Sequence, residues 1–85
     1  MSYHRGAYLA SVPEEDRSVL AQALQWLQEE YADDEVIPGP VSLLQNRFRI
    51  GYSQGLCIAQ HLERLQIWKI QDDPEHGYLA SIRKD

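Results

Sequence analysis

One cysteine, Cys57, is all that the chain offers in thiol chemistry. It excludes an intramolecular disulfide framework and any multi-cysteine zinc site, and it fits a reducing compartment. No apolar run approaches the ~20 residues needed to cross a bilayer. The opening MSYHRGAYLAS lacks the basic start and apolar core of a secretory leader. The expectation is therefore a cytoplasmic protein with no membrane association. Phosphate-binding glycine loops and nucleophile elbows are missing as well. His4, His61, His76 and Cys57 are the good transition-metal ligands besides carboxylates, and only Cys57 and His61 stand one helical turn apart. Two ligands do not close a zinc site, and no third group orients the pair as nucleophile and base. No catalysis, metal or cofactor is expected.

Positive charge is scarce: eight Lys and Arg against thirteen Asp and Glu give a net −5 over 85 residues. That balance argues against indiscriminate nucleic-acid binding. Its distribution says more. Residues 1–40 set two cations against eight carboxylates, −6. Residues 41–71 hold Arg47, Arg49, Arg64 and Lys69 against Glu63 alone, +3, and residues 72–85 return to −2. Surface scatter accounts for so few charges as well as a basic patch does. The length is that of one domain near the lower limit for an unstapled core, and 44% apolar content is ordinary for a globular chain.

Residues 1–11 read as a polar-aromatic arm, in which Tyr8-Leu9-Ala10-Ser11 recurs as Tyr78-Leu79-Ala80-Ser81. Both copies are compatible with strands. Residues 12–32 read as a first helix, opened by Ser11 and Glu14 at capping-box spacing with Pro13 in the first turn. Leu20, Ala23, Leu24, Leu27 and Tyr31 repeat at helical spacing, and Trp26 stands at the edge of that stripe. The run Asp33-Asp34-Glu35 opposes the dipole at a helix C-terminus, so the helix ends near Tyr31 or Ala32. Val36-Ile37-Pro38-Gly39-Pro40 is incompatible with a helix and suits an edge strand or extended connector.

Residues 42–65 read as two helices joined by a tight turn. Ser42 and Gln45 form an S-x-x-Q capping box, and Leu44 and Phe48 supply a short apolar stripe. Gly51 is the expected positive-φ residue, followed by Ser53 as the second cap. Gly55, Ile58, Ala59, Leu62 and Leu65 then fall on one face. Residues 66–82 read as a wing, with strands at Ile67–Gln71 and Tyr78–Ile82 around the turn composition Asp72-Asp73-Pro74-Glu75-His76-Gly77. The fold class is mainly α with a small β wing: a winged helix-turn-helix of three helices and a two- or three-stranded hairpin, one domain over 1–85.

The segment VSLLQ-N-RFRIGYSQ, followed by a helix ending in HLERLQI, resembles the gamma domain of FtsK/SpoIIIE-type DNA translocases. The resemblance covers residues 18–82 in element order and is specific over Val41–Tyr52. It implies a winged-helix frame carried by Ser42, Gln45, Phe48, Ile50, Gly51 and Tyr52. It also implies double-stranded DNA as partner. The family places Asn, Arg, Arg and Glu on its reading helix where this chain has Ser53, Gln54, Cys57 and Gln60. The family's GC-rich target is therefore not implied, nor is its motor, for which no nucleotide-binding motif is present.

Two functional readings stand side by side. With the apolar stripe turned inward, Ser53, Gln54, Cys57, Gln60, His61 and Arg64 face outward and suit a DNA major groove. Arg47, Arg49 and Lys69 suit phosphates, and so few cations point to several copies sharing one site. The alternative is an acidic protein-interaction module or inhibitor docking on the basic surface of a partner protein. It would use Asp33, Asp34 and Glu35, with Trp26 or Trp68 as exposed anchors.

Overall fold

A computed structural model describes residues 12–83. Helix α1 (Glu14–Glu30) comes first, then strand β1 (Val36–Pro38), helix α2 (Pro40–Phe48) and helix α3 (Tyr52–Arg64). Strands β2 (Trp68–Asp73) and β3 (Gly77–Ile82) close the described chain. The strands form one antiparallel sheet in the order β1-β3-β2. Among the described residues the architecture is thus mixed α/β, three helices with a three-stranded sheet, and is compatible with a winged helix. No helix among the described residues is long and apolar enough to cross a membrane.

α1 buries Leu20, Ala23, Leu24 and Leu27, the stripe read from their spacing. Each leucine so removed from water contributes on the order of 2 kcal/mol. α3 buries Gly55, Ile58, Ala59 and Leu62 on its matching face. Gly55 lies where α2 crosses: an added Cβ would stand 3.1 Å from Gln45 Cγ and 3.4 Å from Val41 Cγ1. The sheet completes the core with Ile37, Trp68, Ala80 and Ile82. The register pairs Trp68 with Ile82, Ile70 with Ala80, and Ile37 with Ala80, so these residues share the face turned to the helices.

The helix starts differ from the capping-box reading. α1 has Pro13 at its N-cap with no side-chain cap bond, and Ser11 lies outside the described residues. α2 begins two residues ahead of Ser42, with Gly39 at the N-cap (φ 60°) and Pro40 as the first helical residue. Ser42 and Gln45 therefore form no capping box. Proline is pre-shaped for the first helical position and has no amide to leave unpaired there, so it starts the helix that its neighbour Pro38 cannot join. Gly51 is not the left-handed residue either: its φ is −73° and it is the N-cap of α3, two residues ahead of the expected cap Ser53. Arg49 takes the left-handed conformation instead, with φ 55°. Its neighbour's amide, Ile50 N–H, reaches back to the Gln45 carbonyl at 3.2 Å.

β1 is the edge strand that Pro38 allows, since the missing amide faces no partner. The acidic approach to it is stitched to β3: Asp34 N–H donates to Ile82 O (2.9 Å) and Ile82 N–H to Glu35 O (2.8 Å). The turn of the β2–β3 hairpin is built on Asp73. Its Oδ2 accepts from His76 N–H at 2.8 Å and Glu75 N–H at 3.2 Å, and lies 2.7 Å from His76 Nδ1. Gly77 follows with φ 80°. Tyr78–Ser81 lies within β3, while its sequence twin Tyr8–Ser11 falls outside the described residues.

Candidate nucleic-acid interface

Once the inner face of α3 is spent on the core, the opposite face carries Ser53, Cys57, Gln60 and Arg64, all exposed. Their spacing of four, three and four residues makes one straight row, about 16 Å long at ~1.5 Å per residue. At the approach to this helix, Arg47 and Arg49 are exposed on the end of α2 and in the turn. Arg47 spreads its guanidinium over Trp26 at 5.3 Å and over Phe48 at 5.5 Å. Trp26 is half-buried and meets Tyr31 and Phe48 edge-on, each at 5.7 Å. It is a core-edge residue that holds an arginine. Among the described residues, Arg47, Arg49, Arg64 and Lys69 form no ion pair.

Gln54 and His61 are placed otherwise than as free members of the reading face. They lie on the flank of α3 against the first turn of α1, where Gln54 Nε2 donates to Asp16 Oδ1 at 3.0 Å. The amide is committed within the protein. Glu15 and Asp16 line the same shallow hollow as Ser53, Gln54 and Cys57. His61 is half-buried, and burial first, then Arg64, holds its pKa below the ordinary histidine value, with Asp16 acting in the opposite direction. A neutral imidazole donates one N–H and accepts at its other nitrogen.

Lys69 does not belong to the same surface. Strand alternation turns Trp68 and Ile70 to the helices and Lys69 to the outer face of the sheet. The tip of the hairpin carries Asp72, Asp73 and Glu75, which suits no phosphate backbone. The nine residues expected at one interface thus divide into an exposed set of Arg47, Arg49, Ser53, Cys57, Gln60 and Arg64, a flanking pair, and a lysine behind.

Of the residues expected for a partner-docking alternative, Asp33, Asp34 and Glu35 are exposed. Glu35 Oε1 accepts from Ala32 N–H at 2.9 Å, and Asp34 has φ 66°. Trp68 is a correction. It is 1% exposed, with Nε1 donating to the Ala59 carbonyl at 3.1 Å, because its strand register points it into the core. It cannot anchor a partner.

Sequence reasoning missed a second surface. Tyr52 and Leu56 lie one turn apart on α3, off the buried stripe, and face Ile70 and Tyr78 of the hairpin across a groove of about 570 Å³. Their signal was available: two apolar side chains at i, i+4 that the inward face does not use.

No family model matches this sequence, and neither curated proteins nor solved structures provide a match. Among the described residues no cluster of three potential metal ligands occurs.

Proposed function

We propose that this chain is a small winged-helix DNA-binding module, free of any motor, that lays α3 along the major groove of double-stranded DNA. One observation carries the reading. α3 directs its buried residues to one side and leaves the row Ser53, Cys57, Gln60, Arg64 open, with two arginines at the turn leading into it that form no ion pair among the described residues.

In this reading Gln60 takes adenine in a bidentate pair, Arg64 takes guanine or a phosphate, and Ser53 bonds to either base class. Arg47 and Arg49 hold the backbone and set the register of the helix on the duplex. Arg47 is pre-ordered by Trp26, so less side-chain freedom is lost when it meets a phosphate. Cys57, with its weak thiol donor, contributes shape rather than hydrogen bonds. The acid-tipped hairpin stays off the backbone and Lys69 adds no contact. Three arginines neutralise few phosphates, so one copy binds weakly and several copies share a site. The resemblance of Val41–Tyr52 to translocase gamma domains supports the frame. The replaced reading residues imply a different target sequence.

Selection from a random double-stranded oligonucleotide pool at low salt tests this proposal. Enrichment of a motif, lost in the Gln60→Ala and Arg64→Ala proteins, is the expected result. No motif, with residual binding indifferent to Arg47→Ala and Arg49→Ala, overturns it.

A further inference from the structure

The groove between α3 and the hairpin has features that a nucleic-acid reading leaves unused. Among the described residues, four large hydrophobic side chains are exposed, and three of them line this one groove: Tyr52 at 62%, Tyr78 at 52% and Leu56 at 37%. Ile70 and Val41 extend its floor. Scattered exposed apolar residues need no explanation, but their collection in one concave surface marks an interaction site.

The rim is anionic. Glu63 lines the groove, and its Oε2 accepts from Ile70 N–H at 3.0 Å, which fixes the carboxylate at the mouth. Asp72 is the register partner of Tyr78 and follows Ile70 on the same strand face. Asp73 and Glu75 stand at the hairpin tip, where Asp73 holds His76, itself a lining residue. Among the described residues no lysine or arginine lines the groove. This charge disfavours DNA, and equally an anionic lipid surface, as the occupant between Tyr52, Leu56 and the hairpin.

We infer that the groove receives an amphipathic helix of a partner protein, its apolar stripe inserted between α3 and the hairpin and its flanks carrying Lys or Arg. Tyr52 and Leu56 repeat at one helical turn, the spacing at which a facing helix presents its own i, i+4 side chains. The anionic rim selects cationic flanks and rejects acidic ones. This surface lies on the opposite flank of α3 from Asp16 and Gln54 and shares Gln60, at its edge, with the row proposed to face DNA.

The test uses the full chain labelled with nitrogen-15 and three synthetic helical peptides. One has a Leu/Phe stripe flanked by lysines, one has the same stripe flanked by glutamates, and one has the lysine composition scrambled to destroy the stripe. The lysine peptide binds, with amide shifts centred on Tyr52, Leu56, Ile70 and Tyr78. The other two peptides bind weaker by about tenfold or more, and so does the lysine peptide to a Leu56→Ser, Tyr78→Ser double variant. Both substitutions are at exposed positions, and circular dichroism checks that the fold is kept. Absence of binding, equal binding of both flanked peptides, or shifts centred elsewhere overturns the inference. So does self-association of the wild type, seen by sedimentation and lost in the double variant, since the occupant is then a second copy.

Discussion

Gln54 Nε2 donates to Asp16 Oδ1 at 3.0 Å, joining the first turn of α3 to the first turn of α1 across 38 residues of chain. This bond removes a glutamine from the reading face and brings a carboxylate to its edge. In the proposed complex both effects lower DNA affinity, and they are separable. Asp16→Asn keeps an acceptor for Gln54 but removes the charge. A unit charge about 8 Å from a phosphate in water is worth roughly 0.5 kcal/mol, so this variant binds DNA about twofold tighter. Asp16→Ala also releases the Gln54 amide, which shows as a shift of its side-chain NH₂ signals. Fluorescence anisotropy on one duplex measures the affinities, and an unchanged or weaker Asp16→Asn complex contradicts this placement of Asp16.

Arg49 stands in a left-handed conformation in which glycine is the favoured residue. A side chain there costs about 1–2 kcal/mol relative to glycine. Arg49→Gly is expected to raise unfolding stability by roughly 1 kcal/mol in urea while weakening DNA binding. Opposite signs in the two assays identify a residue kept for binding at the expense of the fold. Loss of stability in the glycine variant argues instead that the arginine side chain supports the turn.

This turn shows where sequence reasoning reached and where it stopped. The apolar stripes of α1 and α3 were legible because helical spacing repeats over several turns. The hairpin was legible from its turn composition. The helix starts were not, because Ser42-x-x-Gln45 and Gly39-Pro40 offered competing starts two residues apart, and the left-handed Gly39 with Pro40 prevailed. Gly51 was the natural choice for the left-handed site, yet the backbone bend lies at Arg49. The commitment of Gln54 to Asp16 joins residues far apart in sequence and leaves no local pattern. The position of Lys69 in the chain, next to the turn into the hairpin, suggests a phosphate contact, whereas strand alternation decides which side of the sheet it occupies.

Trp68 is the largest fully buried side chain, and its indole N–H is satisfied by the Ala59 carbonyl. Trp68→Phe keeps most of the volume but loses that hydrogen bond, at a cost of about 1–2 kcal/mol. Trp68→Ala also opens a cavity and costs roughly 3–5 kcal/mol, enough to unfold a domain of this size. Urea unfolding followed by circular dichroism separates the two. A neutral Trp68→Ala contradicts its place in the core.

His61 is expected to titrate below the ordinary histidine value, because burial and Arg64 disfavour its charged form. The folded pKa is lowered, so the unfolded chain takes up the proton first. The contribution to stability is complete above the ordinary histidine value and declines as pH falls from there to the folded pKa. Arg64→Ala raises the midpoint and Asp16→Asn lowers it further. Imidazole proton shifts followed by NMR give each midpoint, and equal midpoints in the three proteins contradict the electrostatic account.

In the proposed complex α3, with the arginines around it, engages the duplex. The most direct measurement is the slope of log K against log salt for the wild type and for Arg47→Ala, Arg49→Ala and Arg64→Ala on one duplex. A phosphate contact contributes about 0.9 to that slope. The slope is predicted to fall by roughly 1 for Arg47→Ala and for Arg49→Ala. Arg64→Ala loses about the same slope if it meets a phosphate, or relaxes base preference if it meets guanine. Lys69→Ala, on the outer face of the sheet, leaves the slope unchanged. A slope insensitive to Arg47 and Arg49, or one that depends on Lys69 instead, contradicts the interface.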